Sequence, residues 1–304
     1  MGKKLVAGTR DISRLQEWVG RSEKVTARVN PERFEEACAF FGDRPEKKKR
    51  DGLPELWHWF YFNSYVEHES LGEDGHPKLG GFLPPFDLPR RMWGGSELRF
   101  FQPLLVDAEG EKRSKILSVE LIEARSGLIG RVRLEHQMAQ RGRVCITEVQ
   151  DLIYREPQAA ITEVPRGPDP DRDAEYKRAA SSTEPQLFRF SAMTSNAHRI
   201  HYDLPYTMNV ERYPALLVHG PLTAMRLARF AYEISTEKMS SFSFRAISPL
   251  FVGQDHTLCA AWKGTVLTLW ALQPSGGVAM RAEAAYGPQL DMGDSGPPEF
   301  TIVR

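Results

Sequence analysis

The sequence predicts an α+β chain made by duplication, two units in which antiparallel strands wrap a helix. Three observations carry this. First, a pattern recurs. Leu98-Arg99-Phe100-Phe101-Gln102-Pro103-Leu104-Leu105-Val106-Asp107 and, 146 residues later, Phe244-Arg245-Ala246-Ile247-Ser248-Pro249-Leu250-Phe251-Val252-Gly253 share the form apolar-Arg-x-x-x-Pro-Leu-apolar-Val-(Asp/Gly). Second, each copy is followed by three alternating segments, 115–120, 130–136 and 144–149 in one and 256–262, 265–272 and 278–284 in the other. Period-two alternation broken by short polar turns is the pattern of an antiparallel sheet. Third, Pro221 to Ser235 reads as a helix with few polar positions, Leu222, Met225, Leu227, Ala228, Phe230 and Ala231 among them, so it is expected to be buried against strands.

The other elements follow in order. Asn30 before Pro31, acids in the first turn and Gly42 after the apolar stretch predict a helix over 31–41. The aromatic run 56–62 reads as a buried strand or as the lining of a space. The region from Gly75 to Met92 is dense in Gly and Pro and excludes a long helix like the one at 221. The first unit is therefore expected to have a degenerate helix and room for something to bind. Segment 155–182, with Pro165-Arg166-Gly167-Pro168-Asp169-Pro170, lacks periodicity and reads as a linker. This divides the chain into 1–154, 155–182 and 183–304.

Lys+Arg and Asp+Glu number 40 each, a balance that argues against a nucleic-acid or membrane-surface partner. The basic run Lys47–Arg50 reads as a solvated loop. Cys38, Cys145 and Cys259 are too far apart in sequence for a CxxC motif and odd in number, which suits a reducing compartment. No run approaches the roughly 20 apolar residues of a membrane span, and no secretory leader is legible at the N-terminus. The expected location is the cytoplasm, or the mitochondrial matrix in a eukaryote.

The densest chemistry lies at Phe190-Ser191-Ala192-Met193-Thr194-Ser195-Asn196-Ala197-His198-Arg199-Ile200-His201-Tyr202-Asp203, with Val218-His219-Gly220-Pro221 opening the apolar helix shortly after. A ligand trio of His198, His201 and Asp203 is conceivable by residue type alone.

With these stretches, with Leu53-Pro54-Glu55-Leu56-Trp57-His58-Trp59, with Gly80-Gly81-Phe82-Leu83-Pro84-Pro85 and with Leu88-Pro89-Arg90-Arg91-Met92-Trp93-Gly94-Gly95, the chain resembles the MaoC-like hydratases and dehydratases. The likeness is to the group that holds mesaconyl-C4-CoA hydratase, itaconyl-CoA hydratase and the mitochondrial type 2 3-hydroxyacyl-thioester dehydratase. It implies a double-hotdog fold and a hydro-lyase that adds water to a 2-enoyl thioester of coenzyme A or acyl-carrier protein. It implies no cofactor beyond the coenzyme A of the substrate, and a homodimer stays open. The wider family pattern Ser-Gly-Asp-x-Asn-Pro-(Leu/Ile)-His places its aspartate on Asn196 and its histidine on His201. An amide does not ionise, so it is no general base. Phe41-Gly42-Asp43-Arg44-Pro45-Glu46 keeps Gly-Asp without the histidine, which makes the first unit the non-catalytic, substrate-binding one.

Hydration needs a base for water, an acid for C2 and a donor for the charge on the thioester oxygen. On the resemblance, His201 is expected to do the acid/base work, Asn196 to orient water or imidazole, and His198 to stand in reserve. Asp203 is expected to fix a histidine tautomer or cap a turn. The N–H of Gly220 at the helix start is expected to hold the oxyanion. Arg90, Arg91, Trp93 and His219 are expected on the substrate side, with Arg199 pairing the free carboxylate of a dicarboxylic acyl group such as mesaconyl or itaconyl. A 3-hydroxyacyl dehydratase of fatty-acid synthesis, a thioesterase of the same fold and a non-catalytic acyl-thioester binding subunit remain as alternatives.

Overall fold

The computed structural model describes residues 8–43, 52–124, 127–157 and 164–287. Its strands are β1 (Ser22–Arg28), β2 (Arg90–Phe100), β3 (Glu109–Ala124), β4 (Gly127–Gln140), β5 (Arg143–Arg155), β6 (Tyr176–Ala180), β7 (Met239–Ala246), β8 (His256–Lys263), β9 (Val266–Leu272) and β10 (Val278–Tyr286). The helices are α1 (Ile12–Leu15), α2 (Pro31–Phe41), α3 (Glu184–Thr194), α4 (Leu204–Asn209) and α5 (Gly220–Ile234).

All ten strands form one sheet in the order β1-β3-β4-β5-β2-β7-β10-β9-β8-β6. The order is palindromic: each half runs β-edge, three-strand meander, then its repeat-bearing strand, and the two repeat strands meet in the middle. Glu97 lies opposite Ser243, the residue 146 positions after it, so the two halves pair across their equivalent positions. The sequence leads one to expect two sheets. Their union follows from the edges: β2 and β7 would otherwise expose a row of unpaired N–H and C=O groups. The stretch read as a linker also differs. Its last residues form the edge strand β6, paired to β8 from Tyr176 to Ala180, and Gly167 packs against the backbone of Val278.

The two predicted helices are present. Asn30 caps α2 by accepting from the Arg33 N–H (2.9 Å), and Gly42 ends it at φ 72°. α5 begins one residue earlier than its sequence pattern suggested and buries Leu222, Ala224, Met225, Leu227, Ala228, Phe230 and Ala231. It lies against β7, β8, β9 and β10. α3 and α4 are additions. Pro185 opens α3, and the Thr183 N–H donates to Gln186 Oε1 (3.2 Å), a start signal at the border of the supposed linker. The run from Phe190 therefore begins as the end of a helix.

In the first half no long helix covers the concave face among the described residues. Residues 57–60 form a 3₁₀ turn, not a strand, with Trp57, His58 and Phe60 buried. Leu15, Trp18, Phe86 and Leu88 cover one end of the sheet, over Ile116, Val132, Leu134 and Tyr154. Space is left between. The three cysteines are buried and unbonded to one another. No helix among the described residues is long and apolar enough to cross a membrane. The basic run 47–50 lies outside the described residues.

Candidate active site

A cavity of about 730 Å³ lies between the halves, of the size that holds a ligand of several hundred daltons. One wall is the second half: Asn196, His198, His201, Gly220 and Thr223. The floor is the concave face of the first-half sheet: Trp93, Lys112, His136, Glu148 and Gln150.

His201 closes a 3₁₀ turn, Arg199–His201, just after α3. Its Nδ1 lies 2.9 Å from the Leu217 carbonyl oxygen, which accepts only, so Nδ1 carries the proton. Nε2 is left with its lone pair as an acceptor. Burial pushes the imidazole down to about 4, against the Leu217 carbonyl that favours its charged form, so at neutral pH it is an uncharged base. His219 stacks on it, ring centroids 3.6 Å apart, and reaches Ser191 Oγ through Nε2 (2.9 Å). His219 is wholly buried and does not face the cavity. The expectation that it binds substrate is corrected: its ring backs His201.

Asn196 Oδ1 accepts the His198 N–H (3.0 Å) and so fixes the turn that presents His198 to the cavity. The first free donor of α5 is the Gly220 N–H, since Pro221 has none and no side chain caps the helix. A Cβ on Gly220 would meet only the Met280 methyl at 4.0 Å, and Gly220 lines the cavity.

The arginines sort differently from expectation. The Arg199 guanidinium is held by Asp203 Oδ2 (2.9 and 2.7 Å), donates to the Glu73 carbonyl (3.1 Å) and lies over the Tyr206 ring at 4.1 Å. It does not line the cavity. Its assignment to the substrate carboxylate is thereby corrected. Asp203 also caps α4 through the Tyr206 N–H (3.0 Å), so it caps a turn and touches no histidine. Arg90 lines the cavity, but its Nε is paired with Glu211 (3.0 Å). Arg91 lines it too, and its charge adds to the burial that lowers His76 and His198. Trp93 forms an edge contact with Trp59 (4.8 Å) and donates to Ser96 Oγ (2.9 Å). Asp43, left from the degenerate motif, pairs with Arg229 of α5 (2.8 Å), and residues 44–46 of that motif lie outside the described residues.

Two groups have no counterpart among the expected residues. The first is Asp74 and His76, on the loop of the first half. His76 lines the cavity, its Nδ1 is 2.8 Å from Asp74 Oδ2, and its ring lies 4.1 Å from that of His198. One side-chain nitrogen or oxygen of each of Asp74, His76 and His198 lies within 4.8 Å of the others, the one such trio among the described residues that a metal ion could bridge. The trio of His198, His201 and Asp203 is not formed. The second is a polar floor. Glu148 accepts from Trp59 Nε1 (3.0 Å) and Ser96 Oγ (2.6 Å) and faces His58 Nε2 (3.1 Å). Burial works against its charge, but His58, by hydrogen bond and charge, holds the carboxyl down to about 2. Burial pushes the nearby Lys112 ammonium down, against the Glu23 and Glu148 carboxylates, and its side chain forms no direct hydrogen bond or ion pair among the described residues. A readable signal existed for the floor: Lys112, His136 and Glu148 put polar side chains where strand alternation points inward. None existed for Asp74 and His76, which sit in a polar turn.

Residues 56–252 match the hydroxyacyl-thioester dehydratase type 2 family. Mesaconyl-C(4)-CoA hydratase of Chloroflexus aurantiacus is 38% identical over 272 residues, covering 89% of this chain and 97% of that protein. The mitochondrial hydroxyacyl-thioester dehydratase type 2 of Schizosaccharomyces pombe is 27% identical over 236 residues, 69% of this chain and 78% of that one. Among solved structures, a MaoC-like dehydratase of Phytophthora capsici superposes with a TM-score of 0.64 at 14% identity, over 91% of this chain and 98% of its own. HtdX of Mycobacterium tuberculosis superposes at 0.64 and 17% identity, over 88% and 100%. These likenesses show the double-hotdog fold.

Proposed function

The chain belongs to the hydroxyacyl-thioester dehydratase type 2 family, and from that membership we propose that its cavity adds water reversibly across the C2–C3 double bond of a short dicarboxylic 2-enoyl-CoA. The observation that carries the reading is the pairing of His201 Nε2, an uncharged acceptor, with the N–H of Gly220 at the start of a buried helix. A water on Nε2 is oriented and polarised for attack at C3. The π electrons move toward the thioester oxygen, where the Gly220 N–H and the positive end of α5 take up the charge. The positive end of a helix and a backbone donor stabilise this charge more in the transition state than in the ground state, which is what accelerates the step. A proton then reaches C2. The same groups, used in reverse, dehydrate a 3-hydroxyacyl thioester.

The dicarboxylic part rests on Lys112. Its half-buried ammonium feels the Glu23 and Glu148 carboxylates but makes no direct ion pair among the described residues, so an anion that joins it offsets the cost of burial. A carboxylate at the far end of a short acyl chain supplies that anion. The identity to a mesaconyl-C(4)-CoA hydratase supports the same substrate class.

The test is a panel of crotonyl-, mesaconyl-, itaconyl- and longer enoyl-CoA, run with the wild type and His201→Ala. The wild type is expected to hydrate at least one dicarboxylic ester, and the variant to lose about 10³-fold in kcat/KM. A folded wild type that hydrates none of them would leave a non-catalytic thioester-binding subunit as the function.

A further inference from the structure

Asn196 is an amide that does not ionise, so it supplies no proton-handling group beside His201. The first half places a candidate in the same cavity. The loop that carries it is seated by Gly75, whose φ of +90° and lack of a Cβ let it lie against the Ala197 carbonyl; a Cβ there would collide with that oxygen. The Arg199 N–H donates to the Asp74 carbonyl (2.9 Å) and the Arg199 guanidinium to the Glu73 carbonyl (3.1 Å), so the loop is bound to the turn bearing His198 and His201.

We propose that His76, oriented by Asp74, is the base that takes the proton from water and returns it to C2. His201 then aligns that water as its second acceptor. This rests on the hydratase reading above. The Asp74 carboxylate accepts only, so His76 Nδ1 carries the proton of their 2.8 Å contact and Nε2 is the free acceptor on a ring that lines the cavity. His76 and His201 thus share one tautomer, but their supports differ. A carboxylate on Nδ1–H stabilises an imidazolium with a full negative charge, whereas the Leu217 carbonyl offers His201 a dipole. Both imidazoles are lowered to about 4, and what sets His76 apart is the carboxylate that meets the proton as it arrives. Burial, then the Arg91 charge, pushes its imidazole down to about 4 while Asp74 opposes the shift. It is therefore uncharged before reaction, with Nε2 open to a proton.

The step balances without a further reactant. As the water oxygen bonds to C3, one O–H proton passes to His76 Nε2 and the π pair moves into the thioester enolate. The His76 Nε2–H then transfers its proton to C2, the carbonyl re-forms, and both histidines are neutral again. One water is consumed, one C–O and one C–H bond form, and one π bond is lost. Asp74 touches no substrate and is a positioning residue.

The test uses the full chain with His76→Gln and Asp74→Asn, each checked by thermal melting. His76→Gln is expected to lower kcat by about 10²–10³-fold, with KM within about threefold of the wild type. Asp74→Asn keeps the side-chain shape and should lower kcat about tenfold, a loss of about 1.4 kcal/mol. It should also move the acid limb of the kcat profile to lower pH, because loss of the carboxylate makes His76 a weaker base. A merely structural contact would not move that limb. Should His76→Gln fail to fold, the limb of Asp74→Asn decides alone. Retained kcat in a folded His76→Gln, or an unmoved limb in Asp74→Asn, overturns the proposal. So does a rate lost to a chelator and restored by Zn²⁺, which would make Asp74, His76 and His198 ligands. A wild type inactive on every enoyl-CoA counts against the hydratase reading. In that case imidazole ¹⁵N shifts of the free protein decide the His76 arrangement, with Nδ1–H expected and Nε2–H contradicting it.

Discussion

The halves of this molecule share one sheet plan and differ in what covers it. In the second half α5 fills the concave face, and β7–β10 close around Leu222, Leu227 and Phe230 as an ordinary core. In the first half the same face meets loops, and its inward positions carry Lys112, His136 and Glu148 where the other half carries apolar side chains. The sheet is a frame common to both. The cover decides whether a half becomes core or cavity. The loop that replaces a helix does more than leave space, because it also brings His76 to the histidines of the other half.

The largest break in that comparison should come from Gly75→Ala. The added Cβ meets the Ala197 carbonyl, and an alanine at φ +90° is strained, so the loop must leave its seat. Strain of this kind costs about 1–3 kcal/mol, and misplacing His76 by about 1 Å lowers kcat/KM by about 10²-fold. Thermal melting and hydration rates check both. Activity and melting point equal to wild type would mean that the loop is not part of the site.

A smaller effect sharpens the role of the floor. Lys112→Met keeps the stem and removes the charge. KM for mesaconyl-CoA should rise about tenfold, the worth of one hydrogen bond to a charged group, while crotonyl-CoA, which has no free carboxylate, changes by less than about twofold. Equal losses on both substrates would remove Lys112 from carboxylate recognition.

Much of this was legible beforehand because it rests on local periodicity. The repeat at Leu98 and Phe244, the six alternating segments and the capped helix at Pro31 depend on neighbours within a few residues. His201 was singled out through the resemblance and Gly220 through the helix start, and both line one cavity. The union of the two sheets was not, since β2–β7 pairing joins residues 142 to 150 positions apart. Nor was the fate of Arg199: its spacing between two histidines suggested a ligand contact, but Asp203 four residues on and the Tyr206 ring hold it. Asp74 and His76 lay hidden because their meaning depends on a contact with Ala197 and His198, more than 120 positions away.

The central claim is that one site draws a proton-handling group from each half. A double-mutant cycle tests it most directly, with kcat/KM for the best enoyl-CoA measured in His76→Gln, His201→Ala and the double variant. Two groups acting on one water give strongly non-additive losses. The double variant is expected to fall no more than about threefold below the weaker single one. Losses that multiply, so that the two free energies add, would show independent contributions and contradict a shared site.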